Sequence, residues 1–145
     1  MNPNRSAFVR LIKHPLKFRL FLLMKLPAAF LAGVKVREID EQRAVFSVPF
    51  KWLTQNPFRS TYFASLSMAA EMSTGVLALA ELHQRQPAVS MLVVKVESEY
   101  YKKATDRSSF VCEDGDLFRK AIEETIATGE ARTVKARSVG TNKAG

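Results

Sequence analysis

Two side chains, fifteen positions apart, have the types and setting for chemistry: Asn56, in an Asn-Pro-Phe turn, and Glu71, the one charged residue between Ala64 and Ala80. That run reads ASLSMAAEMSTGVLALA, and 10 of its 17 residues are Ala, Ser, Thr or Gly. Small side chains let other backbone approach closely. A carboxylate set among them is costly to bury unless it is paired, protonated or used. Glu71 is therefore expected to be a buried acid, and the first candidate for a reactive group.

The elements that must position this pair can be read from periodicity and punctuation. A long helix is predicted from about Ser60 to Gln84, ending before Pro87. Ahead of it, strands at Val34–Ile39 and Arg43–Phe50 flank Asp40-Glu41-Gln42, a connection suited to a hairpin. Ala44, Phe46, Val48 and Phe50 share one face of the second strand. Lys51–Arg59 is a loop. After the helix, Ala88–Tyr101 alternates as a long strand and Arg107–Glu113 forms a shorter one. Asp116 is expected to cap a helix over 117–128, stopped by Gly129, with an apolar stripe of Leu117, Ala121, Ile122, Thr125 and Ile126. Ala131–Val139 is the last expected strand. This order predicts an α+β domain over 33–145, an antiparallel sheet wrapped around the long helix.

Residues 1–32 form a separate basic module. The chain has 145 residues and a net charge of +8. Residues 1–37 hold eight cations and no acid, and the remainder is balanced at 14 basic and 14 acidic residues. Two helices are expected, near 5–13 and 15–26, divided at Pro15 and ending at Pro27. Phe8, Leu11 and Ile12 share a face of the first; Leu16, Leu20 and Leu23 share a face of the second. The apolar stretch Leu20–Ala32 is too short to span a bilayer and lacks the form of a signal peptide. Two roles remain open for the module: a cover packed on the domain, or a peripheral contact of residues 1–30 with an anionic membrane.

Other chemistry has little to draw on. The single cysteine, Cys112, forms no internal disulfide and reads as an inert strand thiol; a cytoplasmic location is the simplest setting. With only His14 and His83, no His-based triad or metal site is expected, and His83 reads as a partner of the helix dipole. Nucleic-acid binding lacks a recognition helix, a stacking motif or a glycine-rich clamp.

Taken together, the Asn-Pro-Phe loop, the small-residue helix, the position of Glu71 and the strand order resemble the hotdog-fold thioesterase superfamily, in particular its PaaI-like branch. The likeness spans about residues 33–139. It implies an acyl-thioester hydrolase, with acyl-CoA the expected substrate and no cofactor. In that family a backbone N–H at the start of the central helix stabilises the oxyanion, which corresponds to Phe63 with Ala64 beside it. The resemblance makes Glu71 the general base or nucleophile and has Asn56 hold the water or carbonyl. Phe58, Tyr62 and Ser67 are further substrate-side candidates, and Ser90 lies where some relatives place a polar helper. Lys102, Lys103 and Arg107 are candidates for the coenzyme A phosphates, against a solvated hairpin end. The family also implies a homodimer or homotetramer whose sites draw on two subunits.

This chain departs from the pattern at the helix start. Many relatives carry His-Gly-Gly there, where this chain reads Tyr62-Phe63-Ala64, which narrows the ligand's approach to backbone. A non-catalytic fatty-acyl or lipid-binding module is the competing expectation. A hotdog dehydratase would need a suitably placed His. Relatives usually continue into one more strand beyond the position of Gly145; unless the sequence stops early, a sheet edge is left unpaired or something else covers it.

Overall fold

The hairpin forms where the Asp40 turn closes it. In the computed structural model, which describes residues 1–145, β1 (Lys35–Ile39) and β2 (Ala44–Val48) pair antiparallel, with Ile39 opposite Ala44. Asp40 Oδ1 accepts from the N–H groups of Gln42 at 2.8 Å and Arg43 at 2.7 Å. The bond from Arg43 N–H is the main reason the Asp40 carboxyl lies below its ordinary pKa. The turn also anchors a helix. Gly115 N–H donates to Gln42 O, and a Cβ on Gly115 would lie 2.2 Å from Glu41 O, so a side chain there would push the two segments apart.

The sheet has four strands in the order β1-β2-β3-β4, all neighbours antiparallel, with β3 at Ser108–Cys112 and β4 at Val139–Thr141. The five helices are α1 (Arg5–Lys13), α2 (Pro15–Lys25), α3 (Pro27–Ala32), α4 (Phe63–Leu82) and α5 (Gly115–Thr128). A 3-10 turn at Trp52–Thr54 lies between β2 and α4.

α4 is the core helix. Leu66, Ala69, Ser73, Val76, Leu77 and Ala80 recur at three- and four-residue spacing and are all buried. They pack against β2, where Ala44, Phe46 and Val48 are inaccessible to solvent. Truncating Phe46 to Ala would cost about 3–5 kcal/mol, the usual penalty for emptying an aromatic site. α4 alone is long and apolar enough to cross a membrane, and here half of it is buried in the protein.

Several expectations need correction. α2 ends before Pro27 as expected, but a third helix follows, with Pro27 in the first turn of α3, where its missing N–H has no cost. α5 starts at Gly115 after Asp114, so Asp116 sits in the first turn and pairs with Arg119 instead of capping. The core-facing residues of α5 are Phe118 and Ile122, and Leu117 is exposed.

In α2 the buried pair is Phe18 and Leu22, while Leu16, Leu20 and Leu23 face outward. The helix is apolar on two opposite sides, so periodicity alone could not choose between them. The expected strand at Ala88–Tyr101 makes no strand pairing, and its backbone hydrogen-bonds to no other segment. Of Ala131–Val139 only Val139 joins a strand, β4. Both segments have strand-like alternation, but pairing needs a neighbour that local sequence does not specify.

The N-terminal helices are tied to the far end of α4. Asn2 Nδ2 donates to Ala80 O at 3.2 Å and His83 O at 2.7 Å, and Asn4 Nδ2 to Gln84 O at 3.1 Å. These bonds satisfy carbonyls that the last turn of a helix leaves open. Beneath them Glu81, 2% exposed, is held by Arg5 at 2.9 Å, Arg85 at 3.4 Å and the Asn2 N–H at 3.2 Å. Arg5 also donates to Asp40 O at 2.8 Å, linking the hairpin turn into the same knot. Glu81 and Arg85 stand four positions apart, a spacing that sequence alone could have flagged as a pair.

Candidate active site

The Asn56 loop and the first turn of α4 enclose an open cleft of about 390 Å³, lined by Gln55, Asn56, Pro57, Phe58, Tyr62 and Phe63. The loop is built around Asn56. Its Oδ1 accepts from Phe58 N–H at 3.0 Å and Ser60 N–H at 3.2 Å, and its Nδ2 lies 3.1 Å from Ser60 Oγ. These are the bonds of an Asx-type turn. The loop then returns to the body of the domain, because Tyr62 N–H donates to Thr54 O and Thr61 N–H to Ala104 O, each at 2.7 Å.

α4 opens without a cap. Tyr62 at the N-cap position is extended and offers no side-chain acceptor. The N–H groups of Phe63 and Ala64 donate to nothing within the chain. Free N–H groups at a helix N-terminus carry partial positive charge and attract an oxyanion. The rings of Tyr62 and Phe63 meet edge to face at 4.9 Å between centroids and project outward as one wall of the cleft. Phe58 is exposed beside them.

Glu71 lies two turns further along α4, on the surface of the protomer and not within it. This corrects the expectation of a buried acid. Its side chain has no ion pair and no hydrogen bond, to Asn56, Ser67 or any other residue. Its pKa is nevertheless raised, and the cause is desolvation by the protein around it. The carboxylate lies along the helix over Gly75, where an added Cβ would come within 3.1 Å of Oε1.

Thus one protomer gathers Asn56, Phe58, Tyr62 and Phe63, and Ala64 follows on the same helical turn. It does not bring Glu71 into the cleft. Eight residues of helix separate Phe63 from Glu71, about 12 Å along the axis. Ser67, half-buried, is on α4 between them; Ser90 is exposed in the unpaired segment, with no hydrogen bond and outside the cleft lining. Lys103 is near the cleft loop, its Nζ 3.4 Å from Phe58 O. Lys102 and Arg107 are exposed and do not line the cleft. Trp52 and Arg59 border an adjoining groove with Gln55, Asn56 and Pro57.

No group of three or more His, Cys, Asp or Glu side chains gathers in metal-binding proximity. Cys112 is buried in β3, and burial pushes its thiol up to about 11, so it is protonated and unreactive at neutral pH. His83 lies against Phe8, with ring centroids 5.1 Å apart.

A four-stranded antiparallel sheet packed on one long central helix is a hotdog fold. The family described as "Domain of unknown function (DUF4442)" matches residues 16–135, and this chain belongs to it. Solved structures agree on the architecture. A protein of unknown function from Chlorobaculum tepidum, OLEI01261, is similar at a TM-score of 0.72 and 17% identity, over 89% of this chain and 82% of that one. PA5026 from Pseudomonas aeruginosa, described as a probable thioesterase, is similar at 0.68 and 16%, over 90% and 87%. The thioesterase HI1161 from Haemophilus influenzae is similar at 0.51 and 14%, over 65% and 64%. No curated protein matches the chain.

Proposed function

We propose that this protein hydrolyses acyl thioesters, with acyl-CoA as the substrate class. The observation that carries the reading is the uncapped start of α4, whose Phe63 and Ala64 N–H groups are free beside a cleft walled by aromatic side chains. A thioester carbonyl set there would have its developing oxyanion met by fixed donors, which need no reorganisation during reaction. Two similar structures are described as thioesterases, which supports the same chemistry.

The base is Glu71. It is unpaired and exposed, and desolvation raises its pKa, which makes it a stronger base than an ordinary carboxylate. Because about 12 Å of helix separates it from Phe63, the site is composite: Glu71 of one protomer faces the Asn56 and Phe63 cleft of a second. A homo-oligomer also suits the segment 88–101, whose unpaired backbone and exposed Leu92, Val94 and Val96 form an open edge. Asn56 holds the loop that lines the cleft in shape.

Thiol release from a panel of acyl-CoA chain lengths, with Glu71→Gln measured alongside, tests the chemistry. Wild-type turnover equal to that of Glu71→Gln on every substrate would end the proposal. Co-expressing Asn56→Ala with Glu71→Gln chains tests the composite site. Hybrid dimers would carry one intact site, and activity should return to roughly a quarter of wild type. No recovery would place all parts of the site on one chain.

One observation favours a second reading. The Asn56 amide is engaged within its own loop, and Tyr62-Phe63 crowds the helix start, an arrangement suited to holding an acyl chain without cleaving its thioester. Tight binding of fatty-acyl ligands with no thiol release from any of them would select this lipid-binding module.

A further inference from the structure

α2 carries two apolar faces, and the domain uses only one. Phe18 and Leu22 are buried, Phe18 edge-on to Phe46 of β2 at 6.0 Å between centroids. On the opposite side Leu16 is 75% exposed, Leu20 56%, Leu23 50% and Met24 68%. At 100° per residue these four cover an arc of roughly 100° centred away from the core. Lys17 lies on one flank of that arc and Arg19 on the other, with the Arg19 guanidinium seated 4.6 Å over the Phe30 ring. Lys13 precedes the helix and Lys25 ends it. Leu31 of α3, also exposed, extends the apolar surface.

We propose that this face of α2 docks the protein on an anionic lipid surface, with the four apolar side chains at the acyl boundary and Lys13, Lys17 and Arg19 at the head groups. Charge selects this occupant over a second copy of the chain. Lys13, Lys17, Arg19 and Lys25 border α2 and no acid occurs in residues 1–37, so a symmetric contact through α2 would set these cations against their own copies. Anionic head groups complement them. The core-facing residues already hold the helix in place, so docking requires no unfolding of the domain. α3 packs against the 3-10 turn at Trp52–Thr54, which leads into the Asn56 loop; the docking module therefore adjoins the cleft. The proposal stands apart from the hydrolase reading, and its test involves no turnover.

The test is co-sedimentation of the full chain with vesicles of phosphatidylcholine, and with vesicles in which phosphatidylglycerol replaces part of it. Binding should be confined to the anionic vesicles and should weaken as salt is raised. Leu16→Ser/Leu20→Ser/Leu23→Ser should lower the affinity roughly tenfold or more, because it removes the inserted surface. Its Tm should stay at the wild-type value, since the three side chains are exposed. Lys13→Glu/Lys17→Glu should lose anionic binding while keeping the wild-type oligomeric state. Two results would overturn the proposal: no wild-type binding to either vesicle, or triple-variant binding equal to wild type. A triple variant that binds as wild type and is monomeric would give the face to a second copy.

Discussion

Two glutamates ten positions apart on α4 meet opposite fates. Glu81 is sealed under the N-terminal helices, with Arg5, Arg85 and a backbone N–H around it. Glu71 reaches the surface with no partner and a raised pKa. The first is the more buried, and the charges of Arg5 and Arg85 hold it, so it cannot take part in a reaction without breaking the knot. The second is free to exchange a proton. On this helix the buried carboxylate is tied into the fold, and the one without a partner is the one that the proposed hydrolysis would use.

The largest expected effect falls on Glu71. Its replacement by Gln should lower kcat/KM by about 10²–10⁴-fold, the usual contribution of a positioned acid-base group. Circular dichroism should show the fold and its thermal transition intact. Glu81→Ala should do the reverse, costing about 3–5 kcal/mol because it strands a buried Arg5. For a chain of this size that lowers Tm by roughly 10 °C, while thiol release per folded molecule is retained. Replacing both partners with apolar residues, Arg5→Met/Glu81→Leu, should recover most of that loss. A Glu81 variant that folds normally but is inactive would reverse the two assignments.

Effects of pH should divide the pair further. A base works when deprotonated, so the acid limb of the rate profile should lie above the ordinary carboxylate range, following the raised pKa of Glu71. The same shift carries a stability cost. A carboxyl whose pKa rises on folding favours the folded state while protonated, and loses that advantage as pH rises through its folded pKa. Glu71→Gln should therefore be slightly more stable than wild type at neutral pH, with the gain vanishing in acid below the unfolded pKa. Denaturant titrations at both pH values measure it.

Gly75→Ala is the finest probe. Removing an interior helix glycine should add up to about 1 kcal/mol, and the new methyl group would press on Glu71 Oε1 from 3.1 Å. Stability should rise as kcat falls. Unchanged kcat would mean that the carboxylate works from another rotamer.

Much of this was legible in the residues because local rules govern it. The Asp40 turn, the helix break at Pro15, the stop at Gly129 and the extent of α4 each follow from a side chain acting on its own neighbourhood. The Asn56 loop was legible for the same reason. What escaped was decided at a distance. The sequence groups Leu16, Leu20 and Leu23 on one face of α2, but both faces are apolar, and the position of Phe46 decides that Phe18 and Leu22 turn inward. Ala88–Tyr101 has a strand's alternation, but no strand lies beside it in one protomer. Glu71 was expected to be buried because its helix is rich in small residues; packing instead turned Leu66, Ala69, Ser73 and Val76 inward and left the acid outside. Glu81 gained its role from Arg5, seventy-six positions away, which no spacing rule connects to it.

The bonds from Asn2 and Asn4 have a practical consequence. Because the opening residues of the chain grip the last turn of the central helix, whatever is attached ahead of them bears on that grip. The terminal ammonium of Met1 lies 2.6 Å from Glu123 of α5, and a fused tag would replace that charge with a neutral amide. Trimming through Arg5 would uncover Glu81 and loosen α4 at the end opposite the cleft. A purification handle for this protein belongs at the other terminus, and loss of a few leading residues to a protease should register as a fall in melting temperature before any change in chemistry.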